Sequence, residues 1–384
     1  MLKLLKSAEV YAPQYLGKKD ILLVQDRIGM IGDALPTEGL PLLEIFDCAG
    51  KIACPGLVDQ HIHLTGGGGE EGPPSSIPEI MLGDIISAGV SAVVGVLGVD
   101  GSGRTVQGLL TKARALEFEG LNTYIYTGYY GLPAVTITGR ILTDIVFIDK
   151  VLGAGEIAIS DYRSSHPDLQ TLKELAYEVT TGGLVGGKAG ILHIHVGDGK
   201  KGLQPLIELI EDSEYPVRMF VPTHLNRNGE LFEQAVAYAR RGGNIDLTAG
   251  EKTGKGLSVP DAVLKLLGSG VPMDRVTVSS DANGSMKPEG EGGETRVGSV
   301  SQLLNDIRSC ILDKGAPIPA ALGLVTENVA RILGLFPRKG CLAPGSDADI
   351  LILNSGDMTP DRLFVKGNLL VDHGAPIKKG RYEM

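Results

Sequence analysis

Four of the seven histidines in this 384-residue sequence fall where apolar, strand-like runs come to an end: His61 and His63, His195, and His224. Neutral imidazole is a good ligand for zinc-like cations, and carboxylates complete such sites. His61-Ile62-His63 is the strongest local pattern. Residues i and i+2 of a strand share a face, so both rings can chelate one ion. The competing reading is two hydrogen-bonded histidines in a polar core, and for an isolated His-x-His the two are about evenly matched. A strand-like lead-in over residues 56–59 and the glycine run 66–69 behind it favour the metal. His195 shares a face with His193, and spacing does not choose between them. The more C-terminal of the two is favoured, because ligands converge at strand ends, which leaves His193 as an outer partner or a layer filler. Asp281 follows the run 276–280 and could simply cap a turn. Beside four converging histidines it reads better as a carboxylate ligand or proton shuttle. Glu156, after Gly153-Ala154-Gly155, is by spacing alone an ordinary loop carboxylate. Glu70, Tyr130, Arg163 and Arg227 follow the first, third, fourth and sixth runs. Arginines there can bind carboxylates bidentately. Each alone reads as a surface residue, but all four fall on one face.

The elements that must position these residues recur along the chain. Strand-like runs at 57–63, 91–97, 123–127, 156–160, 190–196, 219–224, 244–248 and 276–280 alternate with helical stretches at 78–88, 105–119, 142–152, 169–181, 203–212, 231–241 and 260–267. Helical patterns continue at 300–312 and 320–333. Such alternation predicts parallel strands joined by helical crossovers. Eight units predict a (β/α)₈ TIM-type barrel, whose catalytic face lies at the carboxyl ends of its strands. A doubly wound sheet is the alternative, but no Gly-x-Gly-x-x-Gly follows the first strand. Both ends of the chain are β-rich: 8–12 and 19–24, with a turn over 29–32, and 347–353, 362–365 and 368–371. They predict a small β-sandwich domain formed discontinuously by 1–54 and 340–384, flanking a metal-binding barrel over 55–339.

Composition narrows the function. The net charge is −10 and no Lys/Arg-rich run occurs, which argues against a nucleic-acid partner. No stretch of about 18 apolar residues is present, so no membrane partner is expected. The four cysteines form no tight pair, which fits a reducing cytoplasm.

Taken in order, His-x-His, an acidic residue, His, His and Asp across strands one, four, five, six and eight resemble the amidohydrolase superfamily. The segment 56–63 looks like its opening motif and 340–350 like the return into its small β domain. Within the superfamily the chain most resembles the isoaspartyl (β-aspartyl) dipeptidases. The matching segments are 61–72, Thr127-Gly128-Tyr129-Tyr130, 159–164, 195–198, 222–228 and 279–285. The resemblance implies a binuclear metallopeptidase that hydrolyses isoaspartyl dipeptides with a metal-activated hydroxide. It implies two divalent ions, of zinc: one on His61, His63 and Asp281, the other on His195 and His224, with Glu156 between them. It makes Asp281 and Tyr130 catalytic. Glu70 would bind the substrate amino group, and Arg163, Arg227 and Ser285 its carboxylates. The implied partners are a small dipeptide with an N-terminal isoaspartyl residue and further copies of the chain, as a homo-oligomer. Another amidohydrolase reaction (opening a cyclic amide, or deacetylation) would use the same metals without the charged clamp. A non-catalytic scaffold on this fold would be expected to have lost ligands, and none of the six positions is empty. One departure stands out. The family commonly bridges its metals with a carboxylated lysine on strand four, where this chain has Glu156, and the nearest lysines, Lys150 and Lys188, fall in helix or loop.

Overall fold

The computed structural model describes residues 2–39, 42–251, 255–286 and 295–383. Its centre is a (β/α)₈ barrel. The strands are β1 (Leu57–Ile62), β2 (Val90–Gly95), β3 (Asn122–Thr127), β4 (Val151–Ile159), β5 (Ile191–Val196), β6 (Phe220–Thr223), β7 (Ile245–Thr248) and β8 (Val276–Ser279). β1 to β6 pair in sequence, all parallel, and β7 pairs with β8. Backbone bonds close the ring. Leu225 N donates to Asp246 O at 3.2 Å between β6 and β7, while Asp281 N to His61 O at 3.1 Å and His63 N to Ala282 O at 2.9 Å join β8 to β1. Apart from Tyr124 in β3, the strand residues are all buried, as expected when helices cover the outer face and side chains fill the inner one.

Helices α1 (Leu82–Ser87), α2 (Val106–Phe118), α3 (Ile141–Phe147), α4 (Leu169–Gly186), α5 (Gln204–Glu211), α6 (Gly229–Arg240), α7 (Val259–Ser269) and α8 (Ser301–Leu312) make the outer ring. Their ends are written locally. Asp168 caps α4 by accepting from Thr171 N, and Gly187 ends it with φ +64°, a value open to glycine at no steric cost.

The two chain ends build one mixed sheet. Ile350–Asn354 lies antiparallel to Lys51–Pro55, with Ile352 opposite Ala53. Beyond it run Pro360–Val365 and Asn368–Asp372. On the other side lie Leu2–Tyr11, Tyr15–Val24 and Arg27–Gly32. Leu5, Val10, Ile21, Ile28, Ile350, Ile352 and Phe364 form its core.

Four expectations need correcting. Residues 29–32 are not a turn but part of the strand Arg27–Gly32; the turn comes earlier, where Gln25 has φ +57°. The helix expected over 142–152 stops at Phe147, because Val151 already begins β4. β4 therefore starts at Val151 rather than Glu156, and its Gly153-Ala154-Gly155 stretch, low in strand propensity, reads as a loop in sequence. The helical pattern 320–333 is broken into Ile318–Gly323 and Glu327–Ile332. The break lets Val325 O accept from Val58 N at 2.8 Å and Leu324 O from Val278 N at 3.1 Å, tying the chain to β1 and β8.

Candidate active site

All eleven residues singled out in the sequence converge at the carboxyl ends of the barrel strands. A β-bulge sets the position of Glu156. Leu192 pairs with Ala154 and Ile194 with Ile157, so Gly155 and Glu156 together oppose His193. An extra residue of this kind bends a strand and re-aims its side chain. The glycines make room for it. A Cβ on Gly153 would sit 2.0 Å from Ile191 O, and one on Gly155 2.7 Å from His193 Cβ. The Glu156 carboxylate thus reaches the middle of the barrel mouth, fully buried.

Its two oxygens face different histidine pairs. Oε1 lies 3.4 Å from His61 Nε2 and 3.6 Å from His63 Nε2, while Oε2 lies 3.2 Å from His195 Nδ1 and 3.6 Å from His224 Nε2. Asp281 Oδ1 closes the first group, at 3.4 Å from His61 Nε2 and 3.1 Å from His63 Nε2. His224 and Asp281 lie just past their strands with φ +65° and +50°, which turns both inward. Donor atoms around one tetrahedral zinc, each about 2.1 Å from it, stand roughly 3.4 Å apart. The observed 3.1–3.6 Å spacings match. His61 Nε2 and Glu156 Oε1 are also buried without a hydrogen-bond partner among the described residues, a cost that a cation between them would remove. The residues therefore fit metal ions, as the three donor groups His61–His63–Glu156, His61–His224–Asp281 and Glu156–His195–His224 also indicate. Neither Lys150 nor Lys188 contributes. Their amines are spent on Thr123 O, and on Ile145 O and Ile148 O.

Outer partners fix the rings. His193 Nε2 lies 2.8 Å from His61 Nδ1, and His193 stacks on Tyr126. Burial, reinforced by charge on His61, holds His193 well below the usual imidazole range. It stays neutral and can accept from His61 Nδ1–H, so that a cation replacing the His61 Nε2 proton would meet a lone pair directed at the other donors. His224 Nδ1 bonds Thr248 Oγ1 at 2.7 Å, and burial and then the Arg227 charge hold His224 down to about 3. Burial alone would raise the Glu156 and Asp281 carboxyls. The surrounding histidines outweigh it, and both lie well below the usual range. Asp161, carried in the sequence only within the segment 159–164, accepts from His195 Nε2 at 2.9 Å. Thr248 and Asp161 were recognisable only as polar residues at a strand end or one step beyond it.

Around this centre lies a cleft of about 840 Å³ lined by Glu70, Asp161, Arg163, Arg227, Asp281 and Ser285. Tyr130 is buried, with its hydroxyl 2.8 Å from His195 Nδ1. Burial, then the Glu156 charge, keeps that phenol well above its usual range, so it remains a proton donor. Glu70 Oε1 accepts from Arg163 Nη1 at 3.0 Å and from Ser285 Oγ at 2.7 Å. Arg227 Nη1 donates to Val196 O at 3.1 Å. Acidic and basic groups thus stand side by side at the rim of the buried donor cluster.

A (β/α)₈ barrel with histidines and carboxylates gathered at its strand ends, and a small β domain built from both chain ends, defines the amidohydrolase class of metal-dependent hydrolases. The sequence profile of the amidohydrolase family matches residues 255–370. An imidazolonepropionase from Bacillus cereus (strain G9842) is 48% identical over 46 residues, only 12% of this chain and 11% of that protein. The D-hydantoinase (dihydropyrimidinase) of a Thermus species shares the fold at a TM-score of 0.70 and 16% identity, over 99% of this chain and 97% of that one. The beta-aspartyl dipeptidase of Fervidobacterium islandicum AW-1, whose crystal structure is in complex with beta-Asp-Leu dipeptide, superimposes with a TM-score of 0.91 and 43% identity over 98% of both chains. This chain belongs to the beta-aspartyl dipeptidase family. It is an enzyme, a metal-dependent dipeptidase.

Proposed function

We propose that the chain hydrolyses dipeptides that begin with an isoaspartyl residue, at a centre of two divalent cations bridged by Glu156. One observation carries the reading: each oxygen of Glu156 faces its own pair of histidines. His61, His63 and Asp281 would hold one ion, and His195 and His224 the other. Imidazole and carboxylate donors at tetrahedral spacing suit zinc. Cations held there lower the pKa of water toward neutrality and polarise a carbonyl.

The chain's own groups do the rest. Asp281 lines the cleft and is ionised at neutral pH, so it can take a proton from the attacking water and pass it to the leaving amine. The Tyr130 hydroxyl donates to the carbonyl oxygen as negative charge develops on it. Glu70 binds the substrate α-amino group, while Arg163, Arg227 and Ser285 bind carboxylates. A zwitterion of the right length replaces the Glu70–Arg163 pair with two new ones. A peptide with a blocked end breaks that pair without replacing it. The beta-Asp-Leu complex of the Fervidobacterium relative supports the same substrate class. The reading extends to a homo-oligomer in the cytoplasm. Its placement in the cytoplasm is supported by four buried, unpaired cysteines, which fit a reducing compartment.

The test is metal content measured alongside turnover of β-Asp-Leu, α-Asp-Leu, a hydantoin and an N-acetyl sugar. Turnover of β-Asp-Leu alone, with two ions per chain, is expected. Preference for the hydantoin or the sugar would replace the reading with a different amidohydrolase reaction.

A further inference from the structure

We propose that Asp161 is a positioning residue whose single carboxylate sets the tautomer of His195 and holds Arg163 in the substrate clamp. The proposal rests on the dipeptidase reading above for its substrate arm only.

The geometry is specific. Asp161 is buried just beyond β4, where Ser160 has φ +51°. Its Oδ2 accepts from His195 Nε2 at 2.9 Å and from Arg163 Nη2 at 2.8 Å. Its Oδ1 accepts from Arg163 Nε at 3.0 Å and from the Arg163 backbone N at 2.9 Å. The guanidinium is thus gripped along one edge, and Nη1 is left pointing at Glu70. β5 closes off one side of this side chain. A Cβ on Gly197 would lie 2.5 Å from Asp161 Cβ, so the end of β5 packs directly against it.

Two cations crowd the same imidazole nitrogen. Arg163 Nη2 is 3.5 Å and Arg227 Nη1 3.4 Å from His195 Nε2. Acting alone, two guanidiniums would favour Nε2 as an acceptor and drive the ring proton to Nδ1. That proton would then point at Glu156 Oε2, where a metal ligand needs a lone pair. Asp161 reverses the preference: with a carboxylate against it, Nε2 carries the proton and Nδ1 keeps its lone pair, which here accepts from the Tyr130 hydroxyl at 2.8 Å. The same oxygen anchors the arginine, so the His195 side of the metal centre and the carboxylate-binding end of the cleft are positioned together.

Asp161→Asn is the direct test, because an amide has one acceptor oxygen where four donors now converge. The zinc-loaded protein is compared with the variant by chelator competition and by β-Asp-Leu kinetics. The expected result is about 10- to 100-fold weaker binding of one zinc, together with a rise in KM of about tenfold. Arg163→Lys should raise KM while zinc affinity stays unchanged. Wild-type zinc affinity in Asp161→Asn, or a zinc loss with unchanged KM, would overturn the proposal. A second measurement needs no variant: ¹⁵N-histidine spectra of the wild-type zinc enzyme should show His195 protonated on Nε2, and protonation on Nδ1 would overturn it. The zinc and tautomer arms use no dipeptide. Failure of the wild type to cleave β-Asp-Leu would therefore remove the substrate reading and still leave Asp161 decided.

Discussion

Shortening Glu156 by one methylene should dismantle the centre, and the structure says by how much. Its oxygens now stand 3.2–3.6 Å from four histidine nitrogens. Glu156→Asp withdraws the carboxylate by about 1.5 Å, one carbon–carbon bond. The gaps widen to roughly 4.5–5 Å, whereas two donors on one zinc at about 2.1 Å can be no more than roughly 4.2 Å apart. The bulge cannot follow, because Gly153 and Gly155 already pack against Ile191 and His193 with no room for a Cβ. Loss of a direct ligand should cost more than the roughly 10- to 100-fold in metal affinity that loss of an outer partner costs. Elemental analysis of dialysed protein should fall below two metals per chain, and β-Asp-Leu turnover should drop at least about 1000-fold, some 4 kcal/mol of barrier. Glu156→Gln keeps the length but turns an N–H₂ toward one histidine pair, so one ion should remain. Glu156→Lys with bicarbonate should not gain activity, since a lysine carbamate would overshoot by three atoms, roughly 4 Å. Two metals per chain with near-normal turnover in Glu156→Asp would refute the argument. So would strong activation of Glu156→Lys by bicarbonate.

Asp281→Asn keeps an oxygen facing His61 and His63, so it should retain metal by elemental analysis while kcat falls at least about 100-fold; near-normal kcat would remove Asp281 from proton transfer. Arg104 Nη2 ties Gly67 O at 2.7 Å to Ser76 Oγ at 2.7 Å, at the neck of the loop that carries Glu70. Arg104→Ala should raise KM about tenfold with metal content unchanged, and added guanidinium should restore part of it. Lys339 is buried between Asp347 and Asp349, each at 2.7 Å. Lys339→Met leaves buried Asp349 without its cation, while Asp347 keeps Arg27, and should cost about 3 kcal/mol, read as a lower thermal midpoint. His224 is held at about 3, below its ordinary value of about 6.5, so its contribution to stability is full above pH 6.5 and is lost as pH falls toward 3. Metal-free protein should therefore melt at lower temperature across that window, and His224→Gln should flatten the dependence.

The barrel was legible because its strands are short apolar runs separated by amphipathic helices, and that period survives in a single sequence. The strand-end histidines were legible because position along a strand fixes which end of a parallel barrel a residue reaches. The bulge at Glu156 was not. It is a mismatch of register between β4 and β5, and register is a property of two strands. The same limit hid the bonds from His193 to His61, from Thr248 to His224 and from Asp161 to His195. Each joins residues that are 24 or more positions apart along the chain. The glycines over 153–155 misled for a related reason. In isolation they look like loop, yet here they are the condition for close strand contact.

The same structure shows why fold and chemistry cannot be separated at this centre. β8 meets β1 through two backbone bonds, and Asp59 adds a third tie by accepting from the Ser280 backbone N at 3.1 Å and from its hydroxyl. His61 and His63 come from one side of that seam and Asp281 from the other. The donors that would hold the first ion are therefore drawn from the two strands whose pairing closes the barrel. β5 and β6 supply the second pair of histidines, and the bulged β4 reaches both groups with one carboxylate. An ion bound at the seam stabilises the closed ring by mass action, because the unfolded chain offers no such set of donors. Closing the barrel and building the site are one event, and metal binding should raise the thermal midpoint as well as switch on hydrolysis.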